Sequence, residues 1–168
     1  MQTDQAIQER LESAKQRWST AGSPAKRWKA FKELVCAVFE AIPGMEVQAI
    51  ERRPGGDDVD MVLWNEGTDP VGEDLDRVIL VECKDWSGPV GGDSVRELLQ
   101  RITSRGLHSG VLVTSSGFSK DALEEARRSL SRDQVRLLLL DGKALEKVAS
   151  AEDARGVLKQ KHAALLLS

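Results

Sequence analysis

The sequence RVILVECK at residues 77–84 decides the fold. Residues 78–81 are all apolar, and a strand with consecutive apolar positions is typically covered on both faces at the centre of a sheet. Side chains alternate along a strand, so Glu82 and Lys84 lie on one face while Val81 and Cys83 lie on the other. The octapeptide therefore predicts a central strand whose end carries an acid and a base on the same face.

This acid and base have two competing explanations. Charges at the end of a central hydrophobic strand are costly to bury unless they are paired, so chemistry or metal binding is one explanation. A structural ion pair is the other. The tripeptide Glu-x-Lys is short and common, and taken alone it favours the ion pair.

A second acidic segment, GGDDVDMVL at residues 55–63, changes that balance. Asp60 lies between apolar neighbours in a predicted strand, where an acid does not fit as packing. A polar loop at residues 65–76 connects this strand to RVILVECK, so antiparallel pairing would bring Asp60 beside Glu82 and Lys84. Asp57 and Asp58 are predicted turn residues.

These groups suit a hard divalent cation. Carboxylates of Asp60 and Glu82, with the backbone carbonyl of Cys83, form an oxygen-rich site that fits Mg²⁺, for which Mn²⁺ is expected to substitute. Such a cation would lower the pKa of a bound water and stabilise charge on a phosphate, while Lys84 positions or deprotonates that water.

The remaining sequence predicts alternating helices and strands. Helical apolar spacing and capping residues predict helices, and short apolar runs between turn signals predict strands. The predicted helices are 4–18, 24–41, 93–105, 119–130, 143–150 and 152–167, and the predicted strands are 46–51, 59–64, 77–84, 110–114 and 135–140. This order, ααβββαβαβαα, predicts an α/β fold with a mixed sheet and helices on both faces.

The length of 168 residues suits one domain with short extensions. We expect an N-terminal helical extension over residues 1–22, a core domain over 23–150 and a C-terminal helix over 151–168. The extension has a narrow apolar stripe that needs a partner (Ile7, Leu11, Ala14, Trp18).

Composition excludes several classes of protein. The net charge of −3 argues against coating nucleic acid by bulk electrostatics, although residues 57–76 hold eight acids and no base. The two cysteines lack the spacing of a zinc site or redox pair. The N-terminus has no signal pattern and no apolar run approaches a membrane span, so a cytoplasmic location without membrane association is expected.

The joint order of these segments resembles the PD-(D/E)xK nuclease superfamily and, within it, the Mrr-like restriction endonuclease branch. The resemblance covers about residues 28–148. It rests on GGDDVD and VILVECK together with supporting segments on both sides (Phe31 to Val35, Val95 to Leu98, Val111 to Thr114, Gly117 to Ser119, Leu138 to Gly142).

The resemblance implies a restriction-endonuclease-like core, αβββαβ, in which Asp60 and Glu82 bind metal and Lys84 is the third catalytic residue. A helix acid often assists in this family, and Glu33 is the better candidate, with Glu40 second. Mrr-like sequences usually have the acid directly after the phenylalanine, whereas this chain has Lys32 there.

The expected activity is hydrolysis of DNA phosphodiester bonds by a magnesium-dependent endonuclease, with a role in defence against foreign DNA. Candidate contacts to DNA are four basic side chains, Arg96, Arg101, Arg105 and Lys120. Trp86 is a further candidate, because its aromatic ring could stack on a splayed nucleobase or pack under its own loop. No DNA-reading domain is recognisable, so a homodimer or a partner protein is expected to supply target choice, with the stripe of the first helix as the surface for association.

Two other functions remain open. A non-cleaving binding or assembly module could keep the nuclease fold, because a fold alone does not establish activity. The acids of residues 66–76 favour it slightly, since they would repel a phosphate backbone, whereas intact Asp60, Glu82 and Lys84 count against it. The third possibility is a nuclease of branched DNA or RNA.

Overall fold

A computed structural model describes residues 2–49 and 60–167. The predicted turn at residues 54–56, together with Asp57 and Asp58, lies outside the described residues. No helix in the described part of the chain is long and apolar enough to cross a membrane.

A five-stranded mixed sheet flanked by helices confirms the predicted α/β fold. The helices are α1 (Asp4–Ser19), α2 (Pro24–Glu40), α3 (Gly92–Ser104), α4 (Lys120–Asp133), α5 (Gly142–Glu146) and α6 (Ala151–Leu166). The strands are β1 (Met45–Ala49), β2 (Met61–Asn65), β3 (Val78–Lys84), β4 (Ser109–Thr114) and β5 (Arg136–Leu140). One 3-10 turn, Pro70–Gly72, interrupts the loop between β2 and β3.

The strands lie in chain order, β1-β2-β3-β4-β5. β1, β2 and β3 pair antiparallel, whereas β4 and β5 run parallel to β3. Parallel neighbours require crossover connections, and here α3 and α4 provide them. β3 is therefore the central strand, and its residues from Ile79 to Cys83 are buried, as the apolar run predicts.

The register between β2 and β3 pairs Met61 with Val81. In an antiparallel pair, the residue before Met61 then lies across from the residue after Val81. Asp60 and Glu82 therefore meet at the same end of the sheet.

A close approach between α3 and β4 fixes the height of the helix over the sheet. Gly110 of β4 has no side chain, and a Cβ there would lie 2.3 Å from Cδ1 of Ile102. Ile102 is fully buried, so α3 sits against the strand beside β3. This packing brings the preceding residue, Arg101, to the level of Glu82.

The apolar stripe of α1 is buried within the same core and is not an exposed surface for association, contrary to the prediction. Ile7, Leu11 and Ala14 belong to the main hydrophobic cluster, and Trp18 packs on Phe31 of α2 with ring centroids 5.6 Å apart. The partner that this stripe required is α2 of the same chain.

Candidate active site

An acid–base cluster forms at the end of β3, where the strand alternation had placed it. Nζ of Lys84 lies 3.2 Å from Oε1 of Glu82, so the two side chains share a face. Nη1 of Arg101, reaching down from α3, donates a hydrogen bond to the same oxygen at 3.2 Å. Glu82 is only 2% exposed, and its charge is therefore held by two bases rather than by water.

Asp60 completes the cluster from the strand across. Its carboxylate is 3% exposed, and Oδ2 accepts a hydrogen bond of 2.8 Å from the backbone N–H of Cys83. This bond ties the acid to the backbone between Glu82 and Lys84, so the acid is held against β3.

Burial and neighbouring charges act in opposite directions on Glu82. Desolvation raises the pKa of this carboxyl above its ordinary value of 4.5, and the nearby Asp60 raises it further. Lys84, by its charge and hydrogen bond, and Arg101, by its charge, oppose that rise. Burial is the largest of these effects, so it outweighs the stabilisation that Lys84 and Arg101 give to the ionised carboxyl.

The cluster has the oxygen donors that a divalent cation requires. Oε2 of Glu82 is buried and has no hydrogen-bond partner among the described residues, as a carboxylate oxygen reserved for a ligand would be. Among residues 2–49 and 60–167, no group of three or more His, Cys, Asp or Glu side chains could hold a metal ion. The side-chain donors are thus Asp60 and Glu82, and the predicted third ligand, the Cys83 carbonyl, remains a prediction.

Asp85 is a site residue that the sequence reasoning missed. It is the first residue after β3, and its side chain is only 7% exposed. Arg27 of α2 donates to both carboxylate oxygens at 2.9 and 3.2 Å, and Oγ of Ser115 donates at 2.6 Å. Nε1 of Trp18 in α1 donates a longer bond of 3.4 Å. The available signal was an acid at the end of a central strand.

Trp86 lies at the surface beside this cluster. The residue is 46% exposed, and Nζ of Lys84 lies 5.0 Å from its ring centroid. An ammonium at this distance from an aromatic ring is attracted to the ring. Trp86 therefore helps to hold Lys84, and its role as a base-stacking residue remains a prediction.

The helix acids are engaged with α1. Oε2 of Glu33 lies 3.4 Å from Nε of Arg17, and its side chain is 41% exposed. Glu40 pairs with Arg10 at 2.8 Å and accepts from the backbone N–H of Val47. The structure thus places Glu33 against α1 rather than within the Glu82 cluster, and gives no support to the expected catalytic assistance.

The other predicted DNA contacts are distributed over α3 and α4. Arg96 pairs with Asp93, Asp121 and Glu125, at 2.6, 3.4 and 3.2 Å. Arg105 is exposed and donates to the backbone carbonyl of Arg101 at 3.0 Å. The Lys120 side chain is 91% exposed. Arg101 is the member of this set that the structure brings to the acid–base cluster.

The chain is similar to known restriction endonucleases. Residues 25–149 match the family model of the Mrr catalytic domain, described as a restriction endonuclease. Among solved structures, the DNA modification-dependent restriction endonuclease AspBHI matches with a TM-score of 0.54 and 17% identity, over 98% of this chain and 41% of that one. This chain thus spans less than half the length of AspBHI. No curated protein matches.

Proposed function

Because the chain belongs to the restriction endonuclease family of the Mrr catalytic domain, we propose that it is a divalent-metal-dependent endonuclease that hydrolyses phosphodiester bonds of DNA. The observation that carries this proposal is the buried cluster of Asp60, Glu82 and Lys84. Oε2 of Glu82 is buried and has no hydrogen-bond partner within the described residues, which supports a role for this oxygen as a metal ligand.

Asp60 and Glu82 are the proposed ligands, with Mg²⁺ as the proposed ion and Mn²⁺ as its substitute. When bound, such an ion lowers the pKa of a coordinated water and offsets charge that develops on the phosphate. The Cys83 N–H fixes the orientation of the Asp60 carboxylate before any substrate arrives.

Lys84 carries the remaining chemistry. Its side chain is 18% exposed and lies beside the buried Glu82, so its ammonium can donate hydrogen bonds to a phosphate oxygen or to the attacking water. Contacts to Glu82 and to the Trp86 ring limit its freedom, which keeps Nζ at one place. Preorganised donors of this kind lower the barrier because they need no reorganisation during the reaction.

DNA as substrate and a defensive role inside the cell are part of the proposal. AspBHI is described as DNA modification-dependent, but this chain corresponds to 41% of its length. Whether modification of DNA matters here is therefore tested directly by comparing methylated and unmethylated plasmid.

The decisive experiment is cleavage of supercoiled plasmid with Mg²⁺ or Mn²⁺ and with a chelator. Wild type is expected to nick or linearise the plasmid only with metal, and Asp60→Ala and Lys84→Ala are expected to abolish cleavage. Glu152→Ala and Lys159→Ala, which change exposed residues of α6, serve as matched controls and are expected to cut normally. Cleavage that persists in Asp60→Ala and Lys84→Ala would contradict the proposal.

Single-stranded DNA, branched DNA and RNA belong in the same assay. Preference for one of them would replace duplex DNA as the substrate. A wild-type protein that binds DNA but neither binds metal nor cuts any nucleic acid would instead be a binding module with a nuclease fold.

A further inference from the structure

Arg101 contacts the carboxylate that the proposed function assigns to a divalent cation. Its Nη1 lies 3.2 Å from Oε1 of Glu82, and Lys84 approaches the same oxygen at 3.2 Å. The side chain of Arg101 is 19% exposed, so this ion pair is largely shielded from water. Shielded pairs interact much more strongly than surface pairs.

The cluster brings two acidic and two basic side chains together. Asp60 and Glu82 supply two negative charges, and Lys84 and Arg101 supply two positive ones. A divalent cation that joins them therefore introduces positive charge next to a guanidinium a few ångströms away. Like charges at such distances repel more strongly in a partly buried site than in water, because the effective dielectric constant is lower there.

We propose that Arg101 is an internal counter-cation of Glu82, which a divalent cation displaces and so makes available to a phosphate of the nucleic acid. This inference rests on the proposed function. A guanidinium released at this position lies beside the reacting phosphate, and its planar fork of donors matches phosphate oxygens. The negative phosphate in turn offsets the charge that the cation brings.

Cation and nucleic acid then bind cooperatively. Bound cation raises the affinity for nucleic acid, and bound nucleic acid raises the affinity for the cation. Thermodynamic linkage requires that the two changes in binding free energy be equal. Arg101 thus couples binding of the cation to the presence of substrate.

Calorimetric titration of Mn²⁺ into the protein without DNA separates this role from a structural one. Arg101→Gln removes the competing charge, so it is expected to bind Mn²⁺ about tenfold more tightly than wild type. Arg101→Lys keeps the charge and is expected to bind Mn²⁺ as wild type does. A mildly alkaline buffer keeps protons from competing with the metal for Glu82.

Arg128→Gln is the matched control. Arg128 lies on α4, 2.8 Å from Glu125, whose side chain is 9% exposed and also pairs with Arg96. It therefore pairs with a buried acid as Arg101 does, although its own side chain is 56% exposed. This variant is expected to leave Mn²⁺ affinity unchanged. If Arg101→Gln does not fold by circular dichroism, Arg101→Met, which keeps the aliphatic stem, provides the same comparison.

A second titration measures the phosphate contact. With Ca²⁺ in place of the active ion, binding of a fluorescent duplex is expected to weaken about tenfold in Arg101→Gln, whereas a chelator should remove most of this difference. Opposite changes in Mn²⁺ and DNA affinity are the signature of the proposed role.

The outcomes distinguish the inference from the function on which it rests. If wild type binds Mn²⁺ and Arg101→Gln binds it equally or more weakly, the counter-cation role is wrong and the nuclease proposal stands. If wild type binds no Mn²⁺, both fail.

Discussion

Arg27 of α2 donates two hydrogen bonds to the carboxylate of Asp85, at 2.9 and 3.2 Å. The pair joins the second helix to the residue that directly follows Lys84, the last residue of β3. Arg27 also lies 4.8 Å from the ring centroid of Trp18, so α1 takes part in the same contact. The position of Lys84 thus depends on two helices that precede the sheet in the chain.

Asp85→Ala is expected to destabilise the fold by about 2 kcal/mol and to reduce cleavage, because it removes the buried carboxylate that accepts from Arg27, Trp18 and Ser115 and loosens the end of β3. Urea unfolding and plasmid cleavage measure the two effects. Asp93→Ala removes a carboxylate that is 93% exposed, and it should change stability little. Equal stability of the Asp85 and Asp93 variants would contradict a structural role for the buried contact.

Element order and the core of the site could be predicted because both depend on local patterns. The alternation in RVILVECK and the short β2–β3 connection bring Asp60, Glu82 and Lys84 together without further information. The contacts of Asp85 could not be predicted in this way. Its partners Arg27 and Trp18 lie 58 and 67 residues away, and their approach depends on how helices rotate and pack.

The same limit explains the error over α1 and why the contact between Arg101 and Glu82 was not foreseen. An amphipathic stripe indicates that something covers it, but the sequence does not say whether the cover is another chain or α2. Arg101 was predicted as a phosphate contact because bases near a nuclease site commonly are. Its contact with Glu82 depends on the depth of Ile102 against Gly110, which is a property of packing.

Burial of the α1 stripe makes that helix part of the folding unit. Leu11 is 1% exposed, and Leu11→Ala is expected to lower the free energy of unfolding by about 2–4 kcal/mol because it removes buried methyl groups and leaves a cavity. Chemical denaturation provides the measurement. Glu12→Ala, at the adjacent exposed position, is the control, and a similarly small effect of both changes would show that α1 is not integral to the core.

Glu82 and Glu125 are both buried acids, but only Glu82 has a proposed role as a metal ligand. Each lies beside two basic side chains. Of the two acids, only Glu82 has a buried carboxylate oxygen without a hydrogen-bond partner among the described residues. Glu82→Gln is expected to keep or raise stability by up to about 1 kcal/mol while abolishing cleavage, because active sites commonly sacrifice stability for function. Glu125→Gln is expected to lower stability and leave the metal affinity unchanged.

Urea unfolding of both variants measures the change in the free energy of unfolding. A large loss of stability in Glu82→Gln would show that the ion pairs of Glu82 are mainly structural.

The two cysteines are expected to resist alkylation in the native protein. Burial raises the pKa of the Cys36 thiol to about 11, and burial raises that of Cys83 well above its ordinary value of 9.0. Because the thiolate is the reactive form, iodoacetamide at neutral pH should modify neither residue until the protein is unfolded. Mass spectrometry of native and urea-treated samples measures this, and rapid native modification of Cys36 would contradict it.

His162 of α6 makes stability depend on pH. Desolvation by burial lowers the pKa of this imidazole below its ordinary value of 6.5, and Arg136 lowers it further, while Asp74 opposes them. Nε2 is buried without a hydrogen-bond partner among the described residues. The folded state therefore favours the neutral ring, and between the two pKa values the unfolded chain binds more protons. The stability that this residue contributes is fully present above pH 6.5 and is lost as the pH falls through the pKa of the folded state.

Urea unfolding at neutral and mildly acidic pH should show a smaller acid-induced loss of stability in His162→Gln than in wild type. His108→Gln, which changes an exposed imidazole, should follow wild type, and parallel losses in all three proteins would place the acid sensitivity elsewhere.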